Sequence, residues 1–301
     1  MLIPYGLIPG SYSPFIDDKL DTTLLRERLE AVTKGATGLH GPANHSEMCM
    51  LTFDEWKAWV DTMVSVAREH NINAWAFLGT ESKAKTIPYI EYALEAGCNG
   101  IILHPPYKVD YSQDAAYLYY KEICEMYPDV PFVIYPNFSC PDPQSPYLVA
   151  RISEIPNIVG VKMTRRFNIE QAGEIYSLTR KNPHFNITTG SLINMYALRG
   201  LGLTSSFSAQ SNYIHEWALE LWQALQDKDW EKSDYWYDKI AKLHRAFNHP
   251  GGYLHKYAGE KAAMQMLGKN VGTLRKPQLE PTDQQKEIVR QALIEAGLLE
   301  A

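Results

Sequence analysis

A chain of 301 residues is long enough to bury about three quarters of the surface it exposes when unfolded, as two ordinary domains or one large one. Its 45% hydrophobic and 21% charged residues fit a folded globular protein and exclude a disordered one. The net charge of −6 gives no basic footprint for nucleic acid or an anionic membrane, and no apolar run approaches the roughly 20 residues of a membrane span.

Met1-Leu2-Ile3-Pro4-Tyr5-Gly6 lacks a basic region followed by an apolar core, so no secretory leader is expected. Cys49, Cys98, Cys124 and Cys140 are scattered, with no Cys-x-x-Cys pair. In a chain of this size that pattern points to reduced thiols and a cytoplasmic protein.

In chain order, β-like runs occur at Leu7–Ser11, Gly38–Gly41, Asn73–Leu78, Gly100–Leu103, Pro131–Tyr135, Ile158–Met163, Phe185–Thr189 and Leu203–Ser208. Several are almost continuously apolar, as parallel strands covered on both faces should be. Helical stretches lie between them. Asp21-Thr22-Thr23 precedes a helix over Leu24–Lys34, and Thr52-Phe53-Asp54-Glu55 has capping-box spacing ahead of Trp56–His70. Lys83–Ala96 stops at Gly97, a usual helix-ending residue.

Strands alternating with helices imply βαβ units, and eight units in roughly 210 residues favour a (β/α)8 barrel over an open doubly wound sheet. No Gly-x-Gly-x-x-Gly follows a strand, which argues against dinucleotide binding. From Glu216 onward Trp, Leu, Ala and Lys recur at helical spacing, interrupted at His249-Pro250-Gly251-Gly252. Residues 1–220 are therefore expected to form the barrel and 221–301 a helical extension of the same domain.

Functional residues of such barrels lie at the C-terminal strand ends. Found there are Asn44, His45 and Glu47, then His104 and Tyr107, then Tyr135. Further on are Lys162 with Arg165 and Arg166, then Gly190 and Ser191, and finally Ser205, Ser206 and Ser208. Lys162 ends an apolar strand, where lysine is rarely buried unless paired or functional. Desolvation disfavours an ammonium, and the neutral amine is the form that attacks a ketone. The competing reading is a lysine reaching past the strand end to water. Tyr135, ending the neighbouring strand, suits a proton shuttle, although with 19 tyrosines in the chain any one is more often a packing residue. His40, His45 and His104 raise a metal hydrolase, but the first strand has no His-x-His and no ligand spacing is recognisable. No metal or other cofactor is expected.

These residues resemble the dihydrodipicolinate synthase / N-acetylneuraminate lyase family of Schiff-base aldolases, from about Ile8 to Leu299. Ser13-Pro14-Phe15, Leu51-Thr52-Phe53-Asp54-Glu55, Glu95-Ala96-Gly97-Cys98-Asn99-Gly100, Thr273-Leu274-Arg275-Lys276-Pro277 and Ala296-Gly297-Leu298-Leu299 are similar to family segments. Ile158-Val159-Gly160-Val161-Lys162 is similar to the strand bearing the Schiff-base lysine, which implies that role for Lys162. Val133-Ile134-Tyr135-Pro136-Asn137 is similar to the strand of the proton-shuttling tyrosine. His104-Pro105-Pro106-Tyr107 resembles the segment whose tyrosine enters a neighbouring subunit's site, and Gly190 matches a glycine near the substrate. The resemblance also implies a homo-oligomer, a dimer of dimers.

Two departures bear on substrate. The family's carboxylate-binding Gly-Thr-Thr-Gly-Glu reads Ala43-Asn44-His45-Ser46-Glu47 here, leaving Asn44, His45 and loop amides as donors. Matching Gly35–Leu39 to that motif instead leaves no room for the second strand. The carboxylate-binding arginine of dihydrodipicolinate synthases falls at or near Cys140, and a thiol cannot replace a guanidinium fork. Lysine biosynthesis is therefore disfavoured. So is sialic acid cleavage, because Ser191-Leu192 lacks that reaction's acidic pair.

The expected function is an aldolase or hydratase-aldolase joining or separating a 2-oxo acid such as pyruvate and an aldehyde. Trp75, Phe77 and Phe138 hint at a bulky aldehyde. The alternatives are a sugar-acid dehydratase using the same lysine, or a barrel kept as a binding or sensor protein.

Overall fold

Eight parallel strands form one sheet: β1 (Gly6–Leu7), β2 (Gly38–Gly41), β3 (Asn73–Leu78), β4 (Gly100–Leu103), β5 (Phe132–Ile134), β6 (Ile158–Met163), β7 (Asn186–Thr189) and β8 (Leu203–Ser206). The computed structural model describes residues 1–107, 111–136, 145–163, 168–248 and 256–300. Each strand from β2 to β8 pairs with the next in sequence, and β8 pairs with β1. The ring closes between β1 and β2, where the Thr37 amide donates to the Leu7 carbonyl (2.9 Å) and the His40 amide to the Pro9 carbonyl (3.0 Å). The fold is the expected (β/α)8 barrel. Regular β1 is shorter than Leu7–Ser11, since Pro9 has no amide to give a ladder. Backbone bonds nonetheless continue past it, with Ile8 donating to Ser206 and Gly10 to Ser208.

The helices start where their caps are. In α1 (Thr22–Glu30) the Asp21 carboxylate accepts from the Thr23 and Leu24 amides, both at 2.9 Å. Thr52 and Glu55 close a reciprocal capping box at the start of α2 (Phe53–Glu69). Its Trp56, Trp59, Val60, Met63, Val64 and Ala67 recur at three and four residues and are buried. Each large side chain so buried contributes on the order of 2 kcal/mol. The ring continues with α3 (Lys83–Ala96), α4 (Gln113–Met126), α5 (Pro146–Ile152), α6 (Ile169–Thr179), α7 (Leu192–Ala197) and α8 (Ser211–Asp227).

Side chains alternate between the barrel's inside and outside. Register places Lys162, Thr188, Ser205 and Gly6 in one row across β6, β7, β8 and β1. Trp75 of β3 and Phe207 after β8 meet across the barrel, ring centres 6.0 Å apart, so both fill its interior. Trp75 needs Gly100 beside it, because a Cβ there would come within 2.4 Å of the indole.

Beyond the barrel lie α9 (Trp230–Asn248), α10 (Lys256–Met266) and α11 (Asp283–Glu295). Ile240, Leu243, Phe247, Met264, Val289 and Leu293 share one apolar cluster with Leu7, Tyr12 and Leu221. The expected division at residue 220 falls inside α8, which the barrel and the extension have in common. Among the described residues no helix is long and apolar enough to cross a membrane.

Candidate active site

Lys162 is the penultimate residue of β6, in a strand of buried residues, and is itself only 3% exposed. Its Nζ lies 5.2 Å from the Phe77 ring centre, 4.9 Å from Tyr135 and 5.4 Å from Phe207. Three aromatic faces from β3, the end of β5 and the end of β8 therefore surround the amine. Such a cage attracts an ammonium weakly while withholding the water that would solvate it.

Tyr135 is fixed by its amide, which donates to the Leu103 carbonyl at 3.0 Å, and by edge contact with Phe77. Burial raises its phenol above the ordinary value. It therefore holds its proton at neutral pH. The neighbouring strands do bring Tyr135 and Lys162 together.

Tyr107 is placed differently. The His104 ring stands between the two tyrosines, 5.6 Å from each. Within its own chain Tyr107 is half-buried and shares a cavity wall with Cys49, and burial raises its phenol. It lines a small cavity with Met48, Leu51, Thr80 and Tyr89, outside the three rings around Lys162.

His104 donates from Nδ1 to the Pro105 carbonyl at 2.6 Å, and burial pushes its imidazolium down to about 4. The unfolded chain, near 6.5, binds this proton first, so His104 contributes stability that is complete above pH 6.5 and lost as pH falls toward 4. A thermal melt at pH 4.5 should therefore lie below that at pH 7 by an amount that His104→Gln reduces. Equal pH slopes for the two proteins would contradict this assignment.

Asn44 and His45 occupy a 3-10 turn, Asn44–Ser46, pinned to the loop after β1. Ser46 Oγ donates to the Ser11 carbonyl at 2.6 Å, and Ser13 Oγ donates to the Ser46 carbonyl at 2.5 Å. The His45 ring packs against His40 at 5.3 Å and Tyr12 at 5.7 Å. Tyr12 in turn donates to the buried Glu260 at 2.7 Å.

Glu47 follows the turn with a left-handed backbone, φ 56°. Its Oε1 lies 2.6 Å from Lys261 Nζ, and its Oε2 accepts the Arg275 amide at 3.0 Å. Lys261 also donates to the Ser13 and Thr273 carbonyls, each at 2.8 Å. Burial lowers the Lys261 ammonium against the pull of Glu47. The Arg275 guanidinium forks onto Glu55, both contacts at 2.7 Å, and holds that carboxyl down at about 2. Lys261 of α10 and the segment after that helix, at Arg275, thus hold the end of the loop that carries Asn44 and His45.

Of the other expected residues, Gly190 donates its amide to the Met163 carbonyl at 3.2 Å, tying the end of β7 to β6. Ser191 caps α7: its Oγ accepts the Ile193 amide at 3.3 Å and donates to Gln210 at 3.4 Å. Ser205 is fully buried in the row of Lys162, and its Oγ has no hydrogen-bond partner among the described residues. Phe138, Cys140, Arg165, Arg166 and His249–Gly252 lie outside the described residues. Among the described residues no three His, Cys, Asp or Glu side chains gather as a metal-ligand set.

Sequence reasoning missed Phe207 and Lys261 and weighed His40 only as a metal ligand. The available signal for Lys261 was a lysine followed by Ala-Ala on an amphipathic helix, the same buried-charge anomaly that marks Lys162.

The pattern of the dihydrodipicolinate synthetase family matches residues 4–296. The chain is 27% identical to the 4-hydroxy-tetrahydrodipicolinate synthase of Rhodospirillum centenum, over 98% of this chain and 99% of that one. It is 26% identical to the "Uncharacterized DapA-like lyase" of Thermococcus onnurineus, over 96% and 98% of the two chains. Its fold matches the crystal structure of dihydrodipicolinate synthase from Thermotoga maritima with a TM-score of 0.88 and 24% identity, covering 98% and 99% of the chains.

Proposed function

The chain belongs to the dihydrodipicolinate synthetase family, and from that premise we propose that it is a Schiff-base lyase acting on a 2-oxo acid such as pyruvate with an aldehyde partner. The observation that carries the reading is Lys162 Nζ, held inside the barrel by the rings of Phe77, Tyr135 and Phe207. The neutral amine adds to the ketone, and loss of water leaves an iminium. That iminium is an electron sink, so a bond on the adjacent carbon breaks or forms without any cofactor.

Tyr135, a buried protonated phenol, donates to the departing hydroxyl of the carbinolamine. Tyr107 serves a neighbouring subunit in a dimer of dimers, a role consistent with its half-exposed place away from its own chain's lysine. The substrate carboxylate sits at the Asn44–His45 turn, and Gly190, Ser191 and the Ser205 hydroxyl line the approach to it. Ser191 is the weakest of these, its hydroxyl being engaged at the cap of α7. Because the carboxylate-binding arginine of dihydrodipicolinate synthases falls at or near Cys140 in this sequence, the aldehyde is other than theirs. The protein works in the cytoplasm.

Borohydride reduction in the presence of pyruvate, followed by intact mass, tests this reading. The expected result is one reduced pyruvate adduct per chain. An unchanged mass with pyruvate, other 2-oxo acids and sugar acids would sink the proposal. Product analysis then separates aldol chemistry from sugar-acid dehydration by the same lysine.

A further inference from the structure

We propose that His40 is the catalytic base of this site, its Nε2 taking the proton from the carbon beside the Schiff base when the iminium becomes an enamine. This rests on the reading of Lys162 given above.

His40 is fully buried on β2 and faces the same interior as the lysine. Its ring centre lies 5.3 Å from that of Phe207, and Phe207 lies 5.4 Å from Lys162 Nζ. The tautomer follows from its partner. Nδ1 is 2.7 Å from the Ile8 carbonyl, which can only accept, so Nδ1 carries the hydrogen and Nε2 the lone pair. Among the described residues nothing hydrogen-bonds Nε2. A buried ring nitrogen left so is destabilising and calls for an explanation.

The niche is made for this ring. A Cβ on Gly10 would come within 2.4 Å of the His40 carbonyl and 2.8 Å of its Cε1, so the segment after β1 carries a glycine where the imidazole lies. The groups facing it are Lys162 from β6, His45 from the turn, Phe207 after β8 and the backbone after β1 at Ile8, Pro9 and Gly10. Burial first, then the charges of Lys162 and His45, lower its imidazolium well below the usual value. His40 is thus a neutral acceptor where Tyr135 is a protonated donor, and the two divide the proton transfers between them.

The step balances within the substrate. The C–H bond breaks and its electron pair becomes the new C=C bond. The iminium π pair moves onto nitrogen, and the proton goes to His40 Nε2. Reversal returns the proton from His40 to carbon. In the forward direction the enamine attacks an aldehyde carbonyl, the new alkoxide takes up that proton, and hydrolysis of the iminium by water releases the product and frees Lys162.

The test uses pyruvate in D2O, read as deuterium entering the methyl group by NMR, alongside borohydride trapping. Wild type should show both. His40→Gln should trap pyruvate to the same final extent while its exchange falls about 100-fold or more. His40→Phe, which keeps ring volume, should do the same and serves if the glutamine variant does not fold. Trapping in either variant certifies an intact site. Wild-type exchange in a variant that traps overturns the role of His40. Failure of wild type to trap at all overturns the Lys162 reading instead.

Discussion

Lys162→Ala is expected to abolish pyruvate trapping and to lower methyl-proton exchange by about four orders of magnitude or more, to the solution rate. No other described lysine is held inside the barrel against Phe77, Tyr135 and Phe207. Tyr135 and His40 can only move protons once an iminium exists, so neither sustains the reaction alone. Ten-thousandfold corresponds to roughly 5.5 kcal/mol of lost barrier reduction. Lys162→Met, which fills the space with an apolar chain, should be equally inactive yet melt at or above the wild-type temperature. Retained exchange in either variant contradicts the assignment.

The second large effect is expected far from the lysine. In Lys261→Met the Glu47 carboxylate stays buried without its counter-charge, and the Ser13 and Thr273 carbonyls lose a donor. Breaking a buried pair from one side costs about 3–5 kcal/mol. In a chain of this size that lowers the melting temperature by roughly 5–8 °C. Removing both charges, with Glu47→Gln and Lys261→Met together, should recover part of the loss because no buried charge is left alone. A double variant less stable than Lys261→Met would count against this account. Since Glu47 closes the turn carrying Asn44 and His45, single Lys261→Met protein that folds should also need more pyruvate for half-maximal trapping.

The barrel was readable because its strands are near-continuous apolar runs separated by capped helices. Ile101-Ile102-Leu103 and Phe132-Val133-Ile134 have few other uses, and Asp21 and Thr52 mark helix starts in any fold. Lys162 was readable as a charge where burial forbids one without a reason. What depends on ring closure was not. Phe207 and Phe77 face one amine only because β8 and β3 lie across the same barrel, and strand periodicity does not measure that distance. Glu47 and Lys261 are 214 positions apart, and neither residue carries a local sign of its partner. His40 was weighed only as a metal ligand, and set aside for want of a ligand spacing, because a histidine at a strand end carries no sign of its ring's partners. The Ile8 carbonyl on its Nδ1, which leaves the lone pair on Nε2, is 32 positions away and cannot be seen from the sequence around His40. Ser191 shows the reverse case, a strand-end hydroxyl whose engagement as the cap of the next helix becomes visible only in the fold.

The most direct test of the central claim is to locate the carbon–nitrogen bond. Wild-type protein reduced with borohydride in the presence of pyruvate is digested and its peptides mapped by mass. The account predicts a single modified residue, Lys162, with the Lys261 peptide unlabelled. Label on any other lysine, with the Lys162 peptide unmodified, would contradict it.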